Sequence, residues 1–330
     1  MKKILLLATG GTIASSETEQ GLIPTIDAQQ MLSYIPEIEE ICYLSGISIM
    51  NVDSTNMNPK LMAKIAAAIY SKYQEYDGFV VTHGTDTMGY TAAALTYMLQ
   101  NIKKPVVVTG SQIAIKALNT DAKKNLTDAI RFANEDFPGI FVAFDSKIMY
   151  GTYAVKVKTR STDSFQSINF PTVAEIKEGK IIYNSILNND EYRDKFKSHE
   201  LKLQTNLCED ILILKIFPGI KPHIFDYIKD NYKGVIIESF GIGGIPNADY
   251  DIVSKVQELI QAGLAVVITT QCLCEGIDLS IYAVGKILTK YKIIYAGDMT
   301  TEAATMKLMW ALGNLKDFSS IKDFMEGRFL

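Results

Sequence analysis

Two short stretches join small residues to hydroxyls and a carboxylate: Thr9-Gly10-Gly11-Thr12-Ile13 and His83-Gly84-Thr85-Asp86-Thr87. Each follows an apolar run, residues 4–8 and 79–81, of the kind that makes a buried strand. Glycine lets the backbone turn tightly or approach a ligand, and the threonine after it offers a hydroxyl. Such a hydroxyl is a weak nucleophile that needs a nearby base or proton relay. Asp86 would sit where a helix starts at Tyr90, a position that favours negative charge. The same Thr and Asp are also ordinary helix caps. Neither stretch matches a dinucleotide or P-loop pattern.

Two further strand ends carry polar groups. Residues 47–52 end in Asp53-Ser54-Thr55-Asn56, and residues 105–108 end in Thr109-Gly110-Ser111-Gln112. If the four strands are neighbours, roughly 5 Å apart, then Thr12, Asp53-Ser54, Thr85-Asp86 and Ser111 converge on one small ligand. Residues 150–158 alternate as a half-buried strand, placing Lys156 and Lys158 on one face. Lone strand lysines are usually solvated or edge-protecting. With three histidines and only His83 near a motif, a Ser-His-Asp triad is disfavoured, and His83 reads as structural.

Positioning these groups requires strands alternating with helices. Helices are predicted over 27–34, over 120–134, and after Asn58-Pro59, where Leu61, Ile65, Ile69 and Tyr73 recur at helical spacing as core residues. Residues 15–25 read as a polar surface loop beside the first strand. The pattern predicts two α/β domains. The larger, N-terminal one (1–185) has a mostly parallel sheet with active-site loops at strand C-termini. A polar linker follows (186–206), then a smaller α/β domain (207–330). Its predicted strands are 211–216, 235–239, 264–269 and 293–295, with helices over 253–261 and 301–312. Gly241-Ile242-Gly243-Gly244-Ile245-Pro246 reads as a turn.

Composition narrows the classes of partner. The chain has 330 residues, 48% hydrophobic and 21% charged, enough to bury a sizeable core. A formal charge of -4 disfavours nucleic acid and anionic membrane. Small molecules are the expected partners. Four cysteines argue against a disulfide framework, and Cys272-Leu273-Cys274 lacks the partners of a zinc site, so no metal is expected. The N-terminal apolar run is too short for a signal peptide, which leads to a cytoplasmic expectation.

Taken together, the Thr12 and Thr85 motifs resemble those of the asparaginase/glutaminase family, nearest its bacterial, cytoplasmic type I branch. The resemblance runs nearly end to end, through Val108-Thr109-Gly110-Ser111-Gln112, Thr270-Gln271-Cys272 and Gly297-Asp298-Met299-Thr300. It implies hydrolysis of the side-chain amide of L-asparagine to L-aspartate and ammonia through a threonine acyl-enzyme, slower on L-glutamine, without cofactor. Thr12 would be the nucleophile, with Thr85, Asp86 and Lys156 as a second relay. Phe165 and Asn169 follow Lys156 at the family's spacing. Asp53 and Ser54 would hold the substrate's amino and carboxylate ends, with Thr55, Gly11 and Gly84 completing the binding set. The family also implies a homodimer or homotetramer.

Several residues depart from the family pattern. Leu22 stands where a lid tyrosine is usual, and Gly244 where many relatives carry an Asn. Ser111 and Cys272 match the type I allosteric pocket, but Glu238 replaces its arginine and Val155 its threonine. A carboxylate cannot grip a ligand carboxylate as arginine does, so that form of allostery is expected to be absent. Two other readings stand beside the hydrolase: an asparagine-binding sensor with little or no catalysis, and a tRNA-dependent amidotransferase subunit. The latter usually carries an extra N-terminal domain.

Overall fold

The structure, a computed structural model, describes residues 1–18, 21–187, 199–280 and 292–327. It divides into two compact units, Met1–Thr205 and Asn206–Leu330. Residues 188–198 of the linker expected over 186–206 lie outside the described residues.

The first unit begins with β1 (Lys3–Gly10), then β2 (Ser15–Thr18), β3 (Gly21–Pro24) and β4 (Tyr43–Val52). Next come β5 (Gly78–Thr82), β6 (Leu99–Gln100), β7 (Pro105–Thr109), β8 (Gly139–Phe144) and β9 (Lys147–Tyr150). Short strands follow: β10 (Ala154–Lys156), β11 (Phe165–Ser167), β12 (Ala174–Lys177), β13 (Lys180–Tyr183) and β14 (Lys202–Leu203). Among the described residues its helices are α1 (Ala28–Leu32), α2 (Pro59–Lys72), α3 (Met88–Met98) and α4 (Ala122–Ala133).

The main sheet runs β13-β12-β9-β8-β7-β5-β1-β4. From β4 to β8 the pairs are parallel, and numbered by appearance these five strands read 2-1-3-4-5. The direction of winding therefore reverses between β1 and β5. In open α/β sheets the crevice beyond the carboxyl ends at such a reversal is where ligands bind. Register brings Ala8, Thr82, Thr109 and Ala143 level, so the turns after β1, β5 and β7 emerge side by side. β5 and β7 are buried along their whole length, which explains their unbroken apolar runs.

Several elements differ from expectation. Residues 15–25 are not a loop: β2 and β3 pair antiparallel, with Glu17 opposite Leu22. The hairpin's base is closed where Thr25 and Ile26 donate backbone N–H groups to Ala14 O at 2.8 and 2.9 Å. Residues 150–158 are not one strand, because the chain turns after Tyr150 and resumes only at β10, which pairs with β11. On α2, capped by Asn58 as expected, Ile65, Ile69 and Tyr73 are buried. Leu61 is only half-buried and Met62 takes its inward place. Lys202 and Leu203, inside the expected linker, pair with Gln100 and Leu99 of the first unit.

The second unit has the parallel sheet β15 (Ile211–Lys215), β16 (Gly234–Ser239), β17 (Ala265–Thr270) and β18 (Ile294–Tyr295). Among the described residues its helices are α5 (Ile224–Asn231), α6 (Ile252–Gln261), α7 (Thr301–Asn314) and α8 (Phe318–Glu326). Alternate residues of β16 feed two cores. Val235 and Ile237 pack with Phe225 and Val256, whereas Ile236 packs with Leu308 and Met325. Helices α5 and α8 are absent from the sequence-based expectation.

Gly78 opens β5 against the end of α4, where an added Cβ would come 2.1 Å from Ala133 O. Gly78→Ala is expected to lower unfolding free energy by about 1–3 kcal/mol, as overpacking does, read from urea titration.

Candidate active site

The groups singled out from the sequence lie on adjacent strand ends of the first unit. Across the sheet edge come Asp53-Ser54 after β4, Thr12 after β1, Thr85-Asp86 after β5 and Gly110–Gln112 after β7. The turns touch because glycine leaves room. A Cβ on Gly11 would lie 2.4 Å from both Cα and N of Gly84, and one on Gly84 would lie 2.6 Å from Ser54 Oγ. Gly11 also has φ +79°, a conformation other residues rarely adopt. Its N–H is engaged by Val52 O at 3.0 Å, so Gly11 contributes close approach rather than a free donor.

Thr85 is buried, with its hydroxyl at the head of a polar chain. Lys156 Nζ donates to Thr85 Oγ1 at 2.7 Å and to Asp86 Oδ1 at 2.7 Å. Thr85 Oγ1 donates to Gln112 Oε1 at 3.5 Å. Lys156 comes from β10, outside the main sheet, and its side chain is 19% exposed. The solvated-lysine reading of the bare pattern is thus corrected. Lys158, its supposed neighbour on the same face, pairs instead with Asp163.

The remaining residues show how the turns are held. Ser54 is buried, and its Oγ accepts from Asp86 N at 3.2 Å while Thr87 Oγ1 donates to Ser54 O at 2.8 Å. Asp53 caps its own turn, accepting from Thr55 N and Thr55 Oγ1, both at 2.9 Å to Oδ1. Thr12 opens a short 3-10 turn, and among the described residues its hydroxyl has no hydrogen-bond partner. Ser111 donates to Ile113 O at 2.6 Å within its own loop. Gln112 and Thr87 were not named from sequence, although both sit inside the quoted motifs. A cavity of about 500 Å³ lined by Ser15, Ser16, Gln112, Ile113 and Lys116 adjoins this edge. Among the described residues no cluster of three or more His, Cys, Asp or Glu is placed to hold a metal ion.

His83 underlies the Thr85 turn. Nδ1 meets Gly84 O at 2.7 Å and Nε2 meets Thr91 Oγ1 at 2.9 Å. A carbonyl only accepts, so Nδ1 carries the proton and Nε2 accepts from the threonine. Burial pushes the imidazole down to about 4, against the pull of the Gly84 carbonyl.

A match to the model described as "Asparaginase, N-terminal" covers residues 3–188, and the "Glutaminase/Asparaginase C-terminal domain" covers residues 210–325. The chain belongs to the asparaginase/glutaminase family. It is 38% identical over 325 residues to an L-asparaginase of Thermococcus kodakarensis, covering 98% of this chain and 97% of that relative. A solved structure of the thermostable L-asparaginase from Thermococcus kodakarensis superposes with TM-score 0.92 at 37% identity, covering 99% and 98% of the two chains. A glutamyl-tRNA(Gln) amidotransferase subunit of Pyrococcus abyssi is 35% identical over 337 residues, covering 98% of this chain and 75% of that relative. These similarities establish the asparaginase/glutaminase family as a whole, not the bacterial type I branch of it.

Gly11→Ala is expected to drive the Thr12 and Thr85 turns apart. It should cost about 1–3 kcal/mol of stability, read by thermal unfolding. His83 gives a pH signature of known sign. The unfolded ring titrates near about 6.5, so acidification below that protonates the unfolded chain while the folded ring stays neutral. This contribution is present in full above about 6.5 and is lost as pH falls toward 4, on the order of 3 kcal/mol. A His83 ring resonance that titrated near neutrality would contradict it.

Proposed function

We propose that the protein is an amidohydrolase converting L-asparagine and water into L-aspartate and ammonia, with L-glutamine a slower substrate. The observation that carries this reading is the Lys156 ammonium 2.7 Å from both Thr85 Oγ1 and Asp86 Oδ1, at the strand-order reversal beside Thr12. Membership of the family and the likeness to an L-asparaginase support it.

Thr12 is the nucleophile: its Oγ1 bonds to the side-chain carbonyl carbon, the C–N bond breaks, and the nitrogen takes up the proton that Thr12 loses and leaves as ammonia. Water then bonds to that carbon, the ester C–O bond breaks, and Thr12 regains its proton. Thr85, Lys156 and Asp86 relay the protons these exchanges release and consume, because a threonine hydroxyl needs such help. Asp53 and Ser54 receive the amino and carboxylate ends, Thr55 holds the Asp53 carboxylate, and Gly11 and Gly84 serve binding by letting the turns around the ligand pack together. A homodimer or homotetramer in the cytoplasm belongs to the same reading and rests on the family resemblance.

The 35% identity to the amidotransferase relative supports a second reading, in which the ammonia is handed to a partner instead of released. Turnover of free asparagine by the protein alone favours the hydrolase. Binding without turnover favours the sensor reading, in which Leu22 in place of a lid tyrosine goes with lost catalysis.

Thr12→Ala and Thr85→Ala are each expected to leave a folded protein whose ammonia release falls by about three orders of magnitude or more. Lys156→Met should lose about 10²–10⁴-fold. Near-normal rates in both threonine variants would remove the assignment.

A further inference from the structure

Behind the Thr85 turn lies a polar cluster that none of the roles above uses. Asp121 precedes α4, and its carboxylate accepts Gln112 N at Oδ2 and Ile113 N at Oδ1, both at 2.9 Å. Asn125, one turn on and 1% exposed, donates from Nδ2 to Gly110 O at 3.0 Å and to Asp121 Oδ2 at 3.2 Å. Its Oδ1 accepts from Asp145 N at 3.0 Å, so the amide also ties in the end of β8. Two side chains at the start of α4 therefore grip the turn after β7 from behind.

That turn is pressed onto the one carrying Thr85. A Cβ on Gly110 would come 2.3 Å from His83 O, and His83 N donates to Thr109 O at 2.8 Å. Any shift of the turn moves Gln112, whose Oε1 accepts from Thr85 and whose Nε2 donates to Ser161 O at 3.3 Å. The direction of the Thr85 proton depends on this contact. A lysine ammonium only donates, so once Lys156 has donated to Thr85 Oγ1 the hydroxyl proton must point elsewhere. Gln112 Oε1 is the acceptor that receives it. At 3.5 Å the contact is longer than an ordinary O–H···O bond, so it biases the direction of the proton without holding it.

We infer that Asp121 and Asn125 are positioning residues for the Thr85 hydroxyl, acting through the Gly110–Ile113 turn and the side chain of Gln112. This rests on the relay role of Thr85 proposed above. Neither residue touches Thr85, and both act by fixing where its proton points. A misplacement of about 1 Å at a reacting group can cost roughly 100-fold in rate, so the effect belongs in kcat rather than in substrate binding.

The test measures ammonia release from L-asparagine by Asn125→Ala, Asp121→Ala, Asp121→Asn and Gln112→Met, alone and combined with Thr85→Ala. Asn125→Ala, Asp121→Ala and Gln112→Met are each expected to lower kcat by about 100-fold with KM within about threefold. Asp121→Asn, which keeps one acceptor, should fall between Asp121→Ala and the parent. In the Thr85→Ala background each change should add less than about threefold, because residues acting through one group are not additive. Unchanged kcat in the single variants, or losses that multiply with Thr85→Ala, overturns the inference. If Asn125→Ala fails to fold, Gln112→Met and Asp121→Asn decide it by the same criteria. A parent enzyme that releases ammonia, a crippled Thr85→Ala and unaffected Gln112 and Asp121 variants would sink the inference alone. A fully active Thr85→Ala would sink the relay reading and the inference with it.

Discussion

The site depends on a steric constraint before any electrostatic one. The turns after β1 and β5 can meet only because Gly11 and Gly84 lack side chains at the point of contact, and Ser54 packs into the same gap. Parallel strands deliver their ends at a spacing of about 5 Å, which alone would leave the turns apart by the width of their own side chains. Removing those side chains lets backbone touch backbone and sets Thr12 and Thr85 on adjoining turns. The winding order supplies the rest, since the reversal between β1 and β5 leaves that edge uncovered by a crossover.

Within that frame the polar groups fall into distinct tiers. His83 is buried and neutral, a fixed support whose two ring nitrogens are both occupied. Lys156 reaches in from β10 and links Thr85 to Asp86, so one cation serves a buried hydroxyl and a more exposed carboxylate. Behind both stand Asp121 and Asn125, whose hydrogen bonds run to backbone groups of the next turn. The outermost tier faces the crevice, and the inner ones determine its orientation.

Much of this was legible because the central strands are buried on both sides and read as apolar runs that stop in glycine and hydroxyl residues. Residues 79–81 and 105–108 show this, and their neighbours Thr85 and Ser111 were found with them. Lys156 was ambiguous, because a lysine on a short alternating segment looks the same whether it faces water or a hydroxyl on a distant turn. Only the resemblance distinguished those cases. The β2–β3 hairpin was missed because its residues are polar, and its pairing comes from backbone hydrogen bonds that leave little mark on hydrophobic spacing. Gln112 sits inside a motif, but its task leaves no mark in the sequence, since its partner is 27 residues away. Helices α5 and α8 escaped because each is short and buries few residues, Phe225 and Ile228 in one and Ile321 and Met325 in the other.

The closed base of the hairpin has a mechanical meaning. Thr25 and Ile26 both fasten to Ala14, and Ser15 Oγ donates to Gly11 O at 2.9 Å, so the hairpin's root and the Thr12 turn form one knot. The hairpin therefore has no root separate from the segment that bears Thr12, and a substitution at Ser15 or Thr25 bears on the setting of that hydroxyl as much as on the hairpin itself.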